Sequence, residues 1–199
     1  MSQKPEINDP IKRLKEATSD QHEDLEQQLG AQYFGSDSIT RKRYEEILAS
    51  MYGLYEPLEQ RLEPAIREHL TTFSYQSRSD RIASDLRVLG WTDQERANLP
   101  RISSTSLLSL RDPFQTLGCL YVVEGSELGS SVIRRRFEEM LDDETLRANS
   151  FYRDNPEETR SQWNNFRALF NQRVRDDHEL TRTISSARDT FDLYRRWLS

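Results

Sequence analysis

Apolar residues recur at steps of three and four along most of this chain, and that repeat narrows the possible folds more than any other feature. Ile11, Leu14, Thr18, His22, Leu25 and Leu29 are spaced +3, +4, +4, +3, +4, and Ile184, Ala187, Phe191, Tyr194 and Leu198 follow at +3, +4, +3, +4. This is the period of one face of a helix. No stretch alternates apolar and polar residues as a half-buried strand would, and no hairpin turn competes. The expectation is an all-α, single-domain protein of six to eight helices. The domain spans residues 1–199, with 1–9 a flexible N-terminal tail.

Local signals divide the chain. Asp9-Pro10 opens the first helix as N-cap and N1, and Gly30 and Gly35 end it. A second helix starts near Thr40 and turns Tyr44, Ile47, Leu48, Met51, Tyr55, Leu58 and Leu62 inward. Pro57 and Pro64 should kink or divide it. Ser74 to Ser79 reads as a loop and Asp80 as the cap of a helix reaching Gly90. Thr92-Asp-Gln-Glu95 is a capping box for a short helix. Asp112-Pro113 opens a long helix over about 113–141. A short acidic turn or helix follows at 142–148. Asn155-Pro156 starts a helix with Trp163, Phe166, Phe170 and Val174 inward, and a last helix carries the second stripe.

Charge excludes some functions. Charged residues make up 31% of the chain and the net charge is −6, which argues against a nucleic-acid partner. The basic runs Arg41-Lys42-Arg43 and Arg134-Arg135-Arg136 read as solvated faces. Cys119 is alone, so neither a disulfide framework nor a cysteine metal site is expected, and it reads as a small buried hydrophobe. No secretory h-region and no bilayer-length apolar run is present, so a cytoplasmic setting without membrane attachment is expected.

The chain has seven glycines, and Gly118, Gly125 and Gly129 all fall within the helix expected at 113–141. A glycine inside a helix costs roughly 1 kcal/mol against alanine. Gly125 and Gly129, at i and i+4, bare one face of it. Such a face lets a neighbouring helix cross closely, lets the helix bend, or admits a ligand to the backbone.

His69 and His178 lie in charged surroundings and read as surface residues. His22 lies on the apolar stripe of the first helix. It is either a core histidine with both nitrogens satisfied or a metal ligand. Neither a cysteine nor a second histidine stands at zinc-ligand spacing, and no Glu-x-x-His repeat points to a di-iron bundle. One imidazole in an apolar site suits haem, whose porphyrin brings four donors of its own. Glu26, at i+4, is placed to orient the other ring nitrogen.

Leu14-Lys-Glu-Ala-Thr-Ser-Asp-Gln-His22-Glu-Asp-Leu-Glu26 resembles the proximal helix of haem oxygenases. Leu120-Tyr-Val-Val-Glu-Gly125-Ser-Glu-Leu-Gly129 resembles the distal helix of bacterial members, particularly those associated with bacteriophytochromes. The segment from Ile39 to Tyr55, Phe166 to Phe170, and Ala187 to Leu198 resemble further helices of the family, in order. The resemblance implies a helical bundle with haem between proximal and distal helices. It implies oxidation of haem to biliverdin with release of iron and carbon monoxide, using O2 and electrons from a separate reductase or ferredoxin. A bacteriophytochrome is the implied recipient of the product. By the same resemblance His22 is the iron ligand and Glu26 its support. Thr18, Tyr121 and Phe191 match the pocket, and Lys15 and Arg167 match propionate-pairing positions. Gly125 and Gly129 match the distal glycines, while Ser126 and Tyr52 match the network that serves catalysis.

The chain departs from the family pattern at several of these positions. Ser126 stands where many members have Asp, Val122 where they have Arg and Tyr194 where they have Asn. Asn171 replaces a propionate-pairing Arg, and Ser130 replaces a further Gly. Two rival readings follow: a haem-binding or storage protein on the same fold, and a helical interaction module without haem.

Overall fold

The computed structural model describes residues 8–34, 39–152 and 155–199. Most of the expected N-terminal tail and the turn glycine Gly35 lie outside the described residues. Ten helices are present among the described residues and no strand. They are α1 (Pro10–Ala17), α2 (Ser19–Phe34), α3 (Arg41–His69), α4 (Arg78–Val88), α5 (Asp93–Ala97), α6 (Pro113–Leu128), α7 (Ser130–Met140), α8 (Asp143–Leu146), α9 (Pro156–Arg173) and α10 (Asp177–Trp197). No helix among the described residues is long and apolar enough to cross a membrane.

Helix α10 organises one side of the bundle. A capping box at its start pairs Asp176 with Glu179. It packs against α6, α2 and α1. The crossing with α6 centres on Gly118, where any β-carbon would overlap the Thr183 carbonyl and the Ala187 amide of α10. The Ser186 hydroxyl there donates to the Gln115 carbonyl at 2.7 Å. Cys119 is buried beside Thr190, as its apolar setting implied, and burial pushes its thiol up to about 12. On the other side, α3 packs on α4 and α6. Trp197 of α10 donates to the Ser50 carbonyl at 2.8 Å and closes α10 onto α3.

Two expected helices are each divided. The first breaks at Thr18, whose hydroxyl donates to the Leu14 carbonyl at 2.9 Å while its backbone leaves helical geometry. Such back-bonding competes with the helix ladder. The following helix continues through Gly30 to Phe34 instead of ending there. The glycine-bearing helix breaks at Gly129, which separates α6 from α7. Two other expectations fail in the opposite sense. Helix α3 is undivided through Pro57 and Pro64. Helix α4 is capped by Ser77, three residues before Asp80. The reason is long-range: the buried Glu59 carboxylate of α3 accepts from the backbone N–H groups of Arg78 at 2.6 Å and Ser79 at 3.0 Å, fixing the start of α4.

Candidate functional site

Helices α2 and α6 both pack on α10 but hardly touch each other. The Tyr121 hydroxyl of α6 meets the side chain of Thr18, buried at the break between α1 and α2. Burial raises the Tyr121 phenol above its ordinary range, with the Thr18 bond opposing that shift. His22 stands one turn beyond Thr18, and Gly125 one turn beyond Tyr121.

His22 sits between Thr18 and Leu25, both buried, yet its own side chain is 54% exposed. An exposed ring on an otherwise buried stripe is open to a ligand. The ring makes an edge contact with Phe191 of α10 at a centroid distance of 6.0 Å. Its Nδ1 lies 3.6 Å from the Glu26 carboxylate, within ion-pair reach but beyond hydrogen-bond length.

The glycines differ from one another. A β-carbon on Gly125 would have one neighbour, the Trp163 ring edge at 3.9 Å, and on Gly129 only the Ser126 carbonyl at 3.9 Å. Neither glycine is used to admit a neighbouring helix; Gly118 has that role. Only three large apolar side chains are exposed among the described residues, and two of them, Leu128 and Val132, flank Gly129 at 46% and 68% exposure. A bare backbone edged with uncovered apolar side chains offers a flat, greasy surface.

Trp163 of α9 stacks on Phe166 at 5.3 Å and tilts against Tyr121 at 5.9 Å, so α9 walls the same region. Arg167 lies one turn along α9 from Trp163, and Lys15 lies one turn before Thr18. Both are exposed, and helices α1 and α9 pack together.

The tyrosine that meets Ser126 is Tyr55. Its hydroxyl lies 3.2 Å from the Ser126 hydroxyl, and Ser126 itself donates to the Val123 carbonyl at 2.8 Å. Tyr52 lies elsewhere, under the Arg101 guanidinium at 5.3 Å from its ring centre. Tyr55 also packs edge-on to Tyr194 at 5.9 Å, and burial holds both phenols above their ordinary range. The contacts thus link Thr18 with Tyr121, His22 with Glu26 and Phe191, and Ser126 with Tyr55, while Tyr52 meets Arg101 instead.

Sequence reasoning did not assign Tyr55 or Trp163 to the site, having placed both in the core. It also missed a buried ion-pair cluster behind the glycines. Arg78 of α4 is 1% exposed and stands 3.0 Å from Glu124, itself 2% exposed, and 3.4 Å from Glu127; Arg81 pairs with Glu127 as well. Two Glu flanking a glycine pair inside an apolar helix were the available signal.

The family model described as Heme oxygenase matches residues 9–199. Among solved structures, the chain resembles the NO- and CO-bound heme oxygenase from Neisseria meningitidis, with a TM-score of 0.71 and 20% identity over 96% of this chain and 91% of that one. It also resembles the heme oxygenase from Leptospira interrogans, with a TM-score of 0.75 and 19% identity over 96% of this chain and 99% of that one. No curated protein matches the chain.

Proposed function

Because the chain belongs to the haem oxygenase family, we propose that it opens haem oxidatively to biliverdin, releasing carbon monoxide and iron, with O2 and electrons from a reductase or ferredoxin. One observation carries the reading: Gly125 and Gly129 open onto free space rather than onto a packed helix. A side-chain-free face near an inward but exposed histidine fits a flat macrocycle better than it fits a helix crossing. The interaction-module reading needed that crossing, and its glycine is Gly118.

Haem, when bound, supplies the iron and the conjugated ring that is itself oxidised. The chain's residues hold and orient it. His22 offers a neutral imidazole nitrogen, with Glu26 beside the other nitrogen to fix the ring. Phe191 walls the histidine side, and Leu128 and Val132 exclude water at the glycine side. Lys15 and Arg167 offer cations to the propionates. Ser126 and Tyr55 place hydroxyls beside the bare backbone, where protons must be delivered. The setting we expect is cytoplasmic, with a bacteriophytochrome as acceptor of the bilin.

A second reading, binding without turnover, is favoured by one contact. The Ser126 proton is directed to the Val123 carbonyl, so it is not free for a ligand. Titration with hemin followed by reductant and O2 separates the two. A shifted Soret band that then bleaches to a bilin spectrum supports oxygenase function. A stable Soret band supports storage, and no Soret shift removes both haem readings.

A further inference from the structure

Helix α6 is held from behind by charges rather than by close packing on α4. The α4 and α6 backbones hardly approach. Long side chains cross the space between them: Arg78 to Glu124 and Glu127, and Arg81 to Glu127. The two glutamates bracket Gly125 and Ser126, and Glu127 stands in the last turn before the break at Gly129. Arg78 is fixed before it reaches them. Its backbone N–H donates to Glu59, its guanidinium donates to the Gln76 carbonyl at 2.6 Å, and the Tyr75 ring lies 4.8 Å from its charge. Tyr75 in turn donates to Glu59 at 2.6 Å. The line runs from α3 through the start of α4 to the back of α6.

A pair this deeply buried is weak evidence for stability, because desolvation offsets most of the attraction. Fixing register is the better-attested role of such pairs. We propose that Arg78 and Arg81 are positioning residues that fix α6 through Glu124 and Glu127, and so set the placement of the bare Gly125–Gly129 face relative to His22. This rests on the haem reading for its purpose, but the tether is a property of the apoprotein.

The test uses the full chain without and with hemin. Arg78→Met with Glu124→Leu replaces the pair by apolar groups of similar size. The melting temperature of the apoprotein should stay within a few degrees of the parent. Amide exchange across 124–132 should rise at least tenfold while α10 is unchanged, and hemin affinity should fall at least tenfold. Parental exchange and affinity in the stable double variant would overturn the tether. Should that variant not fold, Arg78→Lys with Arg81→Lys keeps both charges on shorter, unforked side chains. Faster exchange confined to the same segment supports the proposal, and parental exchange there overturns it. Failure of the parent protein to bind hemin would remove the haem reading and leave the exchange result standing.

Discussion

Gly118 and Gly125 lie seven residues apart on one helix, and what each faces separates them. A β-carbon at Gly118 would strike the backbone of α10, which cannot step aside. Gly118→Ala should therefore destabilise the apoprotein by about 1–3 kcal/mol through overpacking. A β-carbon at Gly125 would meet only a ring edge at van der Waals distance. Gly125→Ala should stabilise the apoprotein by about 0.5–1 kcal/mol, because alanine restricts the unfolded chain and favours helix, while weakening hemin binding. Denaturant melts beside hemin titrations measure both, and a Gly125→Ala apoprotein less stable than the parent would return that glycine to a packing role. The same logic applies to His22. Its ring is half exposed and its one carboxylate neighbour is exposed too, so His22→Ala should leave the apoprotein melt within about 0.5 kcal/mol, as for other surface changes. It should abolish the iron–histidine stretching band of the hemin complex, and added imidazole should restore a ligand band. An unchanged band would assign the iron to another residue.

At the scale of the helix, periodicity was a good guide to faces and a poor one to breaks. The stripes from Ile11 and from Ile184 are the buried faces of α1, α2 and α10, with His22 the exposed exception and Leu29 and Ile184 only half buried. The repeat runs unbroken across Thr18 because the side chain that ends α1 also fits the apolar spacing. Pro57 and Pro64 fail to divide α3 because buried Tyr55, Leu58 and Leu62 tie it to its neighbours on either side. His22, Gly125 and Gly129 could be found because each breaks a local rule of its own helix. Arg78, Tyr55 and Trp163 could not, since they reach the site from other helices and look ordinary in theirs. Glu124 carries the consequence most open to measurement. Burial pushes its carboxyl up to about 7; Arg78 and Arg81 oppose the shift and Glu127 adds to it. In the unfolded chain it titrates near 4.5, so across that window the folded state holds the extra proton. The stability this group contributes is then present at low pH and is lost as pH rises through about 7. The parent's stability should decline relative to Glu124→Gln from acid to neutral pH, by on the order of 2–3 kcal/mol. Paired denaturant melts at several pH values check this, and a constant difference between the two proteins would show that Glu124 stays ionised throughout.

The whole molecule sets a cationic end on an acidic protein. Net charge is −6, and many exposed arginines are paired with carboxylates, Arg13 with Asp177 at 2.7 Å and Arg195 with Asp24 at 2.8 Å among them. Lys15 and Arg167 are exposed on two helices that pack together. Lys15 precedes His22 by seven residues, about two turns on the same side across the Thr18 break. Arg167 follows Trp163, the ring nearest Gly125, by one turn. Two cations at one end favour a ligand whose anionic groups project from a single edge, as haem propionates do. A charge-assisted hydrogen bond of this kind contributes about 1.5–3 kcal/mol when well formed and less when exposed. One histidine ligand would leave haem free to turn, so contacts at its rim or against the apolar wall would have to set its rotation. Asn171 stands one turn beyond Arg167 and carries no charge, which on the proposed reading leaves Lys15 and Arg167 as the two anchors. Lys15→Ala with Arg167→Ala should weaken hemin binding about tenfold or more, in line with the loss of one such bond. It should also change the ratio of bilin isomers, because a ring free to turn presents different meso carbons to the Gly125–Gly129 face. Chromatography of the extracted bilins beside hemin titration decides the matter. A single unchanged isomer with weakened binding would show that the rim cations add affinity alone and that the apolar wall sets the rotation. Unchanged isomer and unchanged affinity together would remove both residues from the site.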